Sequence, residues 1–186
     1  MPSTQPTGWS KIARRIRVPL GFVFAVLYFW LAKPTWLFIG IGSAIAAVGI
    51  AIRASAAGHV KKNRELTTTG PYAYTRNPLY LGSMILAIGF GVASRNWWVA
   101  VVIVVLFLAI YLPVIRSEEA YLRSEFPGFD EYCTKVPRLI PRVSGAGVTD
   151  KGAFSRELYL RHREYNAVIG ALLMIAALAV KVVFSR

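Results

Sequence analysis

Apolar residues fall into five blocks, Val18–Ala32, Thr35–Ile52, Pro78–Ala93, Trp97–Ile115 and Asn166–Phe184, separated by polar, turn-rich stretches. A helix rises about 1.5 Å per residue and a hydrocarbon core is about 30 Å thick, so a span needs roughly 20 residues. The pattern predicts an all-α integral membrane protein of about five transmembrane helices with a helical region outside the membrane. The first and third blocks are short and must borrow flanking residues or thin the bilayer locally. Only Ser94-Arg95-Asn96 separates the third span from the fourth, which predicts a tight antiparallel hairpin, with Trp97 and Trp98 in the interfacial aromatic belt. Gly40, Gly42, Ser43, Ala46, Ala47 and Gly49 give the second span a small-residue face for close packing. The Gly-x-Gly pairs at 40/42 and 89/91 lack the strand–turn–helix setting of a dinucleotide fingerprint.

The polar stretches predict the rest of the organisation. Residues 1–8 read as disordered, and Trp9, Ile12, Ala13 and Ile16 recur at helical spacing among basic residues, an interfacial pattern. A signal peptide would share the basic flank and apolar run of Lys11–Ala32. However, Phe29-Trp30-Leu31-Ala32 is bulky where cleavage needs small residues, so the segment is read as a membrane helix. Ser117–Phe126 continues span four as a short helix that Pro127-Gly128 breaks, and Phe129–Lys135 makes another helical stretch before Val136-Pro137-Arg138. Residues 142–155 form a flexible link. One domain is expected, with an N-terminal segment at 1–17, a core at 18–141, a linker or lid at 142–165 and a last span at 166–184.

Composition and charge sharpen this picture. The 186 residues are 55% apolar, above the usual 45–50% or so of soluble domains. The formal charge is +13. Of the 22 basic residues, four precede span one, five lie between spans two and three, and nine lie between spans four and five, and all nine acidic residues fall on this same side, Glu65 between spans two and three and the rest at or beyond the end of span four. That asymmetry predicts a cytoplasmic N-terminus, polar chemistry on the cytoplasmic side and the C-terminus outside. The basic charge then reads as a topology and anionic-lipid signal rather than a nucleic-acid one. Cys133, the single cysteine, cannot form an internal disulfide, and no Cys/His cluster predicts a metal.

Two patches could carry chemistry. Between Thr69 and Gly82 the chain reads Thr-Gly-Pro-Tyr-Ala-Tyr-Thr-Arg-Asn-Pro-Leu-Tyr-Leu-Gly. Non-helical backbone in a membrane needs cover from protein or a water-filled cavity. Pro78 suits the first turn of a helix, whose free N–H groups and dipole favour an anion. Arg76 adds fixed positive charge, and Tyr72, Tyr74 and Tyr80 supply aromatic walls with hydroxyl handles. The plainer alternative is an interfacial cap in which the tyrosines are belt anchors and Arg76 binds lipid phosphate.

The second patch is Glu118-Glu119, about 100° apart on a helix, so one can face the bundle while the other faces water or a basic residue. A carboxylate near the membrane core is costly unless paired, and a cationic ligand group would pair it. The plainer alternative balances it against Arg116 and Arg123. His59 reads as an interfacial hydrogen-bonded residue and His162 as solvated. The hairpin brings both patches to one depth, which suits a zwitterion, and the aromatic residues suit a flat ring and a sulfonium.

The strip Gly70–Gly82, followed by Glu118-Glu119, Leu122, Phe126, Tyr132 and Val136-Pro137, resembles the isoprenylcysteine carboxyl methyltransferase and phospholipid methyltransferase superfamily. The resemblance covers residues 53–141 and implies an integral membrane methyltransferase that uses S-adenosylmethionine and releases S-adenosylhomocysteine. It implies that Tyr72 and the stretch Asn77, Pro78, Leu79 and Tyr80 contact the cofactor, with Asn77 standing where the family usually has histidine. Arg64, Glu65, Leu66 and Thr67 fall where a preceding cofactor strip lies, although only Leu66 matches in type. Glu118 matches the carboxylate that holds the cofactor's amino group, and His59 or Lys62 the polar position at the end of span two. The candidate catalytic residues are Arg76, Arg116 and Glu119. Arg116 is nearest to, but out of register with, a substrate-binding arginine, and Glu119 is a base if the acceptor is an amine. The expected acceptor is an amphiphilic or prenylated carboxylate reached from the lipid. The alternatives are an ethanolamine head group or a non-catalytic lipid-binding scaffold.

Overall fold

A computed structural model describes residues 8–61, 65–143 and 152–185, with side chains from Pro19 onward except Leu20. All regular structure among these residues is helical: α1 Gly8–Leu31, α2 Trp36–His59, a 3-10 turn Gly70–Ala73, α3 Pro78–Ala93 and α4 Trp97–Leu106 come first. A π turn Phe107–Tyr111, α5 Leu112–Glu125, α6 Phe129–Lys135, α7 Arg156–Arg161 and α8 Tyr165–Phe184 follow. Helices of span length and composition are Trp36–His59, Trp97–Glu125 and Tyr165–Phe184, while Gly21–Leu31 and Pro78–Ala93 are shorter apolar helices. Large apolar side chains on α1, α2, α4 and α8, such as Phe22, Leu37, Val104 and Leu173, stand exposed around the bundle. The protein is an all-α integral membrane protein.

The closest packing is between α2 and α3, and its cause is legible atom by atom. Gly49 faces Gly82 and Gly42 faces Gly89 in antiparallel register, two turns apart on each helix. A Cβ at Gly82 would lie 2.7 Å from the Gly49 carbonyl, and one at Gly89 would lie 2.6 Å from the Gly42 carbonyl. Small residues let membrane helices approach until their backbones touch. The bundle's far end is closed by polar ties. Lys33 donates its N–H to the Ser94 carbonyl at 2.8 Å, and Asn96 donates its side-chain amide to the Leu31 carbonyl at 3.0 Å. Asn96 also caps α4 by accepting from Trp98 N–H at 3.0 Å. Beneath these ties Tyr28, Ile39, Val99, Ile103 and Leu178 form the main core cluster.

Two expected boundaries differ. Span one and the interfacial segment before it are one continuous helix, and α2 runs seven residues past Ile52. Span four continues to Glu125 as a single 29-residue helix, as the Ser117–Phe126 stretch predicted. Its π turn has a local reason: Pro113 offers no N–H to the Ala109 carbonyl and crowds it, so the ladder widens by one residue just before the proline. In the expected link, residues 144–151 lie outside the described residues. From Gly152 the chain packs on the end of α2, where Ser155 donates its N–H to the Gly58 carbonyl at 2.9 Å.

Gly82→Val should overpack the α2–α3 crossing and cost about 1–3 kcal/mol or more, seen as a lower unfolding midpoint in detergent. Gly40→Ala, whose added Cβ meets nothing within 4 Å, should leave the midpoint unchanged. Equal midpoints for the two variants would rule out this crossing.

Candidate active site

Where α2 ends and α3 begins, Gly70 turns the chain with φ +58°, a left-handed conformation that glycine adopts without strain. The turn presents Tyr72, Thr75, Arg76 and Asn77 inward before Pro78 opens α3. Residues 136–142 run alongside and satisfy this backbone. Arg76 donates its N–H to the Pro137 carbonyl at 2.9 Å, and Arg142 donates its own to the Tyr74 carbonyl at 3.0 Å. The Thr75 hydroxyl donates to the Leu139 carbonyl at 3.1 Å. The Tyr132 hydroxyl donates to the Tyr72 carbonyl at 2.6 Å.

This arrangement encloses a cavity of about 430 Å³, within the size range of small-molecule sites. One wall is Tyr72, Arg76, Asn77 and the first turn of α3, Pro78, Leu79 and Tyr80. The facing wall is Glu118, Tyr121 and Leu122 on α5, and Phe126 and Tyr132 close one end. Val60, Glu65, Leu66 and Thr67 form the rim. Most of the residues singled out from sequence therefore line one space. Burial, reinforced by Tyr132 and Glu118 nearby, pushes the Tyr72 hydroxyl far above its ordinary range. Burial pushes Tyr132 in the same direction despite the opposing Arg76 charge. Both phenols stay protonated at neutral pH.

The two adjacent glutamates part company. Glu118 stays exposed, lines the cavity and accepts a hydrogen bond from the Tyr80 hydroxyl at 2.9 Å. Glu119 is buried behind the cavity wall. It accepts from Asn77 Nδ2 at 3.2 Å and from Arg138 Nε at 2.9 Å, and it lies 3.4 Å from Arg76 Nε. The Asn77 amide also donates to the Arg138 carbonyl at 2.9 Å.

The remaining sequence candidates lie elsewhere. Arg116 is exposed on α5 and is not part of the cavity lining. His59 places Nδ1 2.7 Å from the Ser55 carbonyl and its ring edge-on to Phe154, outside the lining. Arg64 and Lys62 lie outside the described residues. Among the described residues none from 142–165 lines the cavity, and α7 packs on α2 instead. Arg138, Thr75 and Tyr121 belong to the site or its supports and were not singled out. Tyr121 lies three residues beyond Glu118 on one helix face, so spacing alone could have found it. Arg138 had no comparable signal.

The cavity's donor set fits S-adenosylmethionine. Glu118 suits its ammonium, Arg76 its carboxylate, and Tyr72, Tyr80, Phe126 and Tyr132 offer apolar and aromatic surface to a nucleoside and a sulfonium.

A polar, aromatic cavity thus lies at one end of a helical membrane bundle. The chain belongs to the phospholipid methyltransferase family, whose model matches residues 17–127. It is 35% identical over 139 residues to the cobalt-zinc-cadmium resistance protein CzcN of Cupriavidus metallidurans, covering 69% of this chain and 62% of that one. It is 35% identical over 103 residues to the nickel-cobalt-cadmium resistance protein NccN of Alcaligenes xylosoxydans xylosoxydans, covering 53% and 48%. It is 29% identical over 142 residues to the protein-S-isoprenylcysteine O-methyltransferase of Schizosaccharomyces pombe, covering 73% and 59%. The chain thus spans about half to three-fifths of the length of these curated relatives. No solved structure matches it.

Glu119→Ala should cost about 3 kcal/mol, because it strips a buried carboxylate from its basic partners. Glu118→Ala, at an exposed position, should leave stability unchanged within about 0.5 kcal/mol. Thermal unfolding of both variants in one detergent tests the difference, and equal losses would contradict this division of labour.

Proposed function

We propose that the chain is an S-adenosylmethionine-dependent methyltransferase that acts on an amphiphilic carboxylate drawn from the membrane. The observation that carries this reading is the convergence of Tyr72, Arg76, Asn77–Tyr80 and Glu118 on one cavity, together with membership of the family. Glu118 takes the ammonium of the cofactor's amino-acid end and Arg76 its carboxylate. Tyr72 and Tyr80 wall in the sulfonium, and Leu66, Leu122 and Phe126 the nucleoside. When bound, the cofactor supplies an electrophilic methyl group on sulfur.

The chain's own contribution is positioning and exclusion of water. A carboxylate acceptor needs no general base, since it attacks as an anion and opposite charges cancel along the way. Tyr72, held protonated by burial, is unsuited to a base role, and His59 is engaged outside the cavity. The acceptor's apolar chain has room in a neighbouring, mostly apolar cavity of about 310 Å³ between α1, α2, α3, α4 and α8, which Arg53 and Ser83 also line. Tyr111 lines that space and meets Tyr80 edge-to-face at 5.6 Å, so this aromatic pair separates the two cavities. The charge asymmetry supports a cytoplasmic active site, with basic residues such as Arg116 and Arg163 facing anionic lipid head groups.

A second reading, N-methylation of an ethanolamine head group, is favoured by the name of the matching family. It would need a base to accept a proton.

Calorimetry should show saturable S-adenosylhomocysteine binding to the purified protein, weakened about tenfold or more by Glu118→Ala, as expected for a lost charged contact. With radiolabelled cofactor and membrane lipid extracts, a base-labile product identifies an ester, and a base-stable one turns the assignment to the amine. Absence of cofactor binding by folded protein would leave a lipid-binding scaffold.

A further inference from the structure

Two arginines share the Glu119 carboxylate unequally. Arg138 sets Nε 2.9 Å and Nη2 2.8 Å from Oε2. Arg76 Nε stays 3.4 Å from Oε1 and, though buried, makes no hydrogen bond among the described residues. The position of Arg76 is held through its main chain, by the bond to Pro137 immediately before Arg138. The accessibilities order the group: Glu119 is 6% exposed, Arg76 12% and Arg138 46%. Arg138 therefore reaches the buried carboxylate from the solvent side, while Arg76 lies between it and the cavity it lines. The three side chains together carry one net positive charge, and in a poorly solvated site such a residual charge acts strongly on its neighbours.

We propose that Arg138 is a positioning residue that occupies Glu119 and so leaves the Arg76 guanidinium available to an anionic group in the cavity. That group is the amino-acid carboxylate of the cofactor, so the inference rests on the cofactor reading above. Without Arg138, Glu119 would have Arg76 as its remaining charged partner. A closer ion pair would then neutralise the positive side of the cavity. Asn77 bonds both Glu119 and the Arg138 carbonyl, which keeps the carboxylate in register with the two arginines. Arg138 and the segment carrying it lie beyond the residues that the family model matches.

The test compares two probes by calorimetry in detergent. S-adenosylhomocysteine carries the amino-acid end, and 5′-methylthioadenosine is the same nucleoside thioether without it. Arg138→Met should weaken S-adenosylhomocysteine about tenfold or more and leave 5′-methylthioadenosine unchanged. Arg138→Lys should fall between. The double variant Glu119→Gln/Arg138→Met removes the competing carboxylate and should return S-adenosylhomocysteine affinity to within about threefold of wild type. A merely structural role would weaken both probes together and make the double variant no better than the single one. Either result overturns the proposal. If Arg138→Met does not fold, the double variant decides alone, since weak S-adenosylhomocysteine binding there is equally fatal. Wild-type protein that binds neither probe would remove the cofactor reading, and this inference with it.

Discussion

Residues 70–77 leave the α-helical ladder just where the apolar α3 begins, and part of their peptide groups need partners from elsewhere in the chain. Outside water, an unpaired amide or carbonyl costs several kcal/mol or so, and helices satisfy only their own. Here the partners come from residues 132–142, which pair with Tyr72, Tyr74, Thr75, Arg76 and Asn77 through main-chain, hydroxyl and amide groups. The return of the chain through α5 and α6 is what brings that cover into place. The small cluster of Phe129, Tyr132 and Val136, packed against Leu66, Leu122 and Phe126, holds α6 down. The cavity exists because two segments outside the span helices, 70–77 and 132–142, satisfy each other while facing α5, whose backbone satisfies itself.

The bundle fixes the cavity's dimensions from the other direction. The Gly49–Gly82 approach puts α2 and α3 in backbone contact directly beneath the Tyr72 turn. One turn further along α2, Arg53 forms a bidentate pair with Glu164 at the start of α8 and also reaches Ser83 on α3. A charged pair at this depth is costly to assemble. Its geometry ties α2, α3 and α8 together. The π turn in α4–α5 serves the same end, because it swings Tyr111 against Tyr80 and Phe107.

Elements governed by local rules were legible in the sequence. The five apolar blocks, the Ser94–Asn96 hairpin, the Pro127-Gly128 break and Pro78 at the start of α3 all follow from hydropathy, length and turn chemistry. So did the cavity walls, because Tyr72, Asn77–Tyr80 and Glu118 stand at spacings that helix geometry and the family resemblance make interpretable. What stayed hidden depends on pairing at long range. Arg53 and Arg138 counted only as members of a topology signal, yet each contacts a carboxylate on another segment. The π turn needed Pro113 to be weighed against a strongly apolar run. His59 was drawn toward the site by its place in the chain, and Phe154, far off in sequence, holds it elsewhere.

Glu118 and Glu119 show why adjacency is a poor guide to role. A rotation of about 100° between neighbours on a helix sends one carboxylate to the cavity and the other into the packing. Their chemistry then diverges with their partners. Glu118 accepts a hydrogen bond from the Tyr80 hydroxyl and faces the cavity. Arg138 and Arg76 together outnumber the charge on Glu119, and the surplus is positive and lies on the opposite wall. In the proposed reading Glu118 is the negative pole of the site and the Arg76–Arg138 pair around Glu119 the positive one. A zwitterionic amino-acid end is the ligand group that such a split field fits, because its two charges are fixed a few bonds apart.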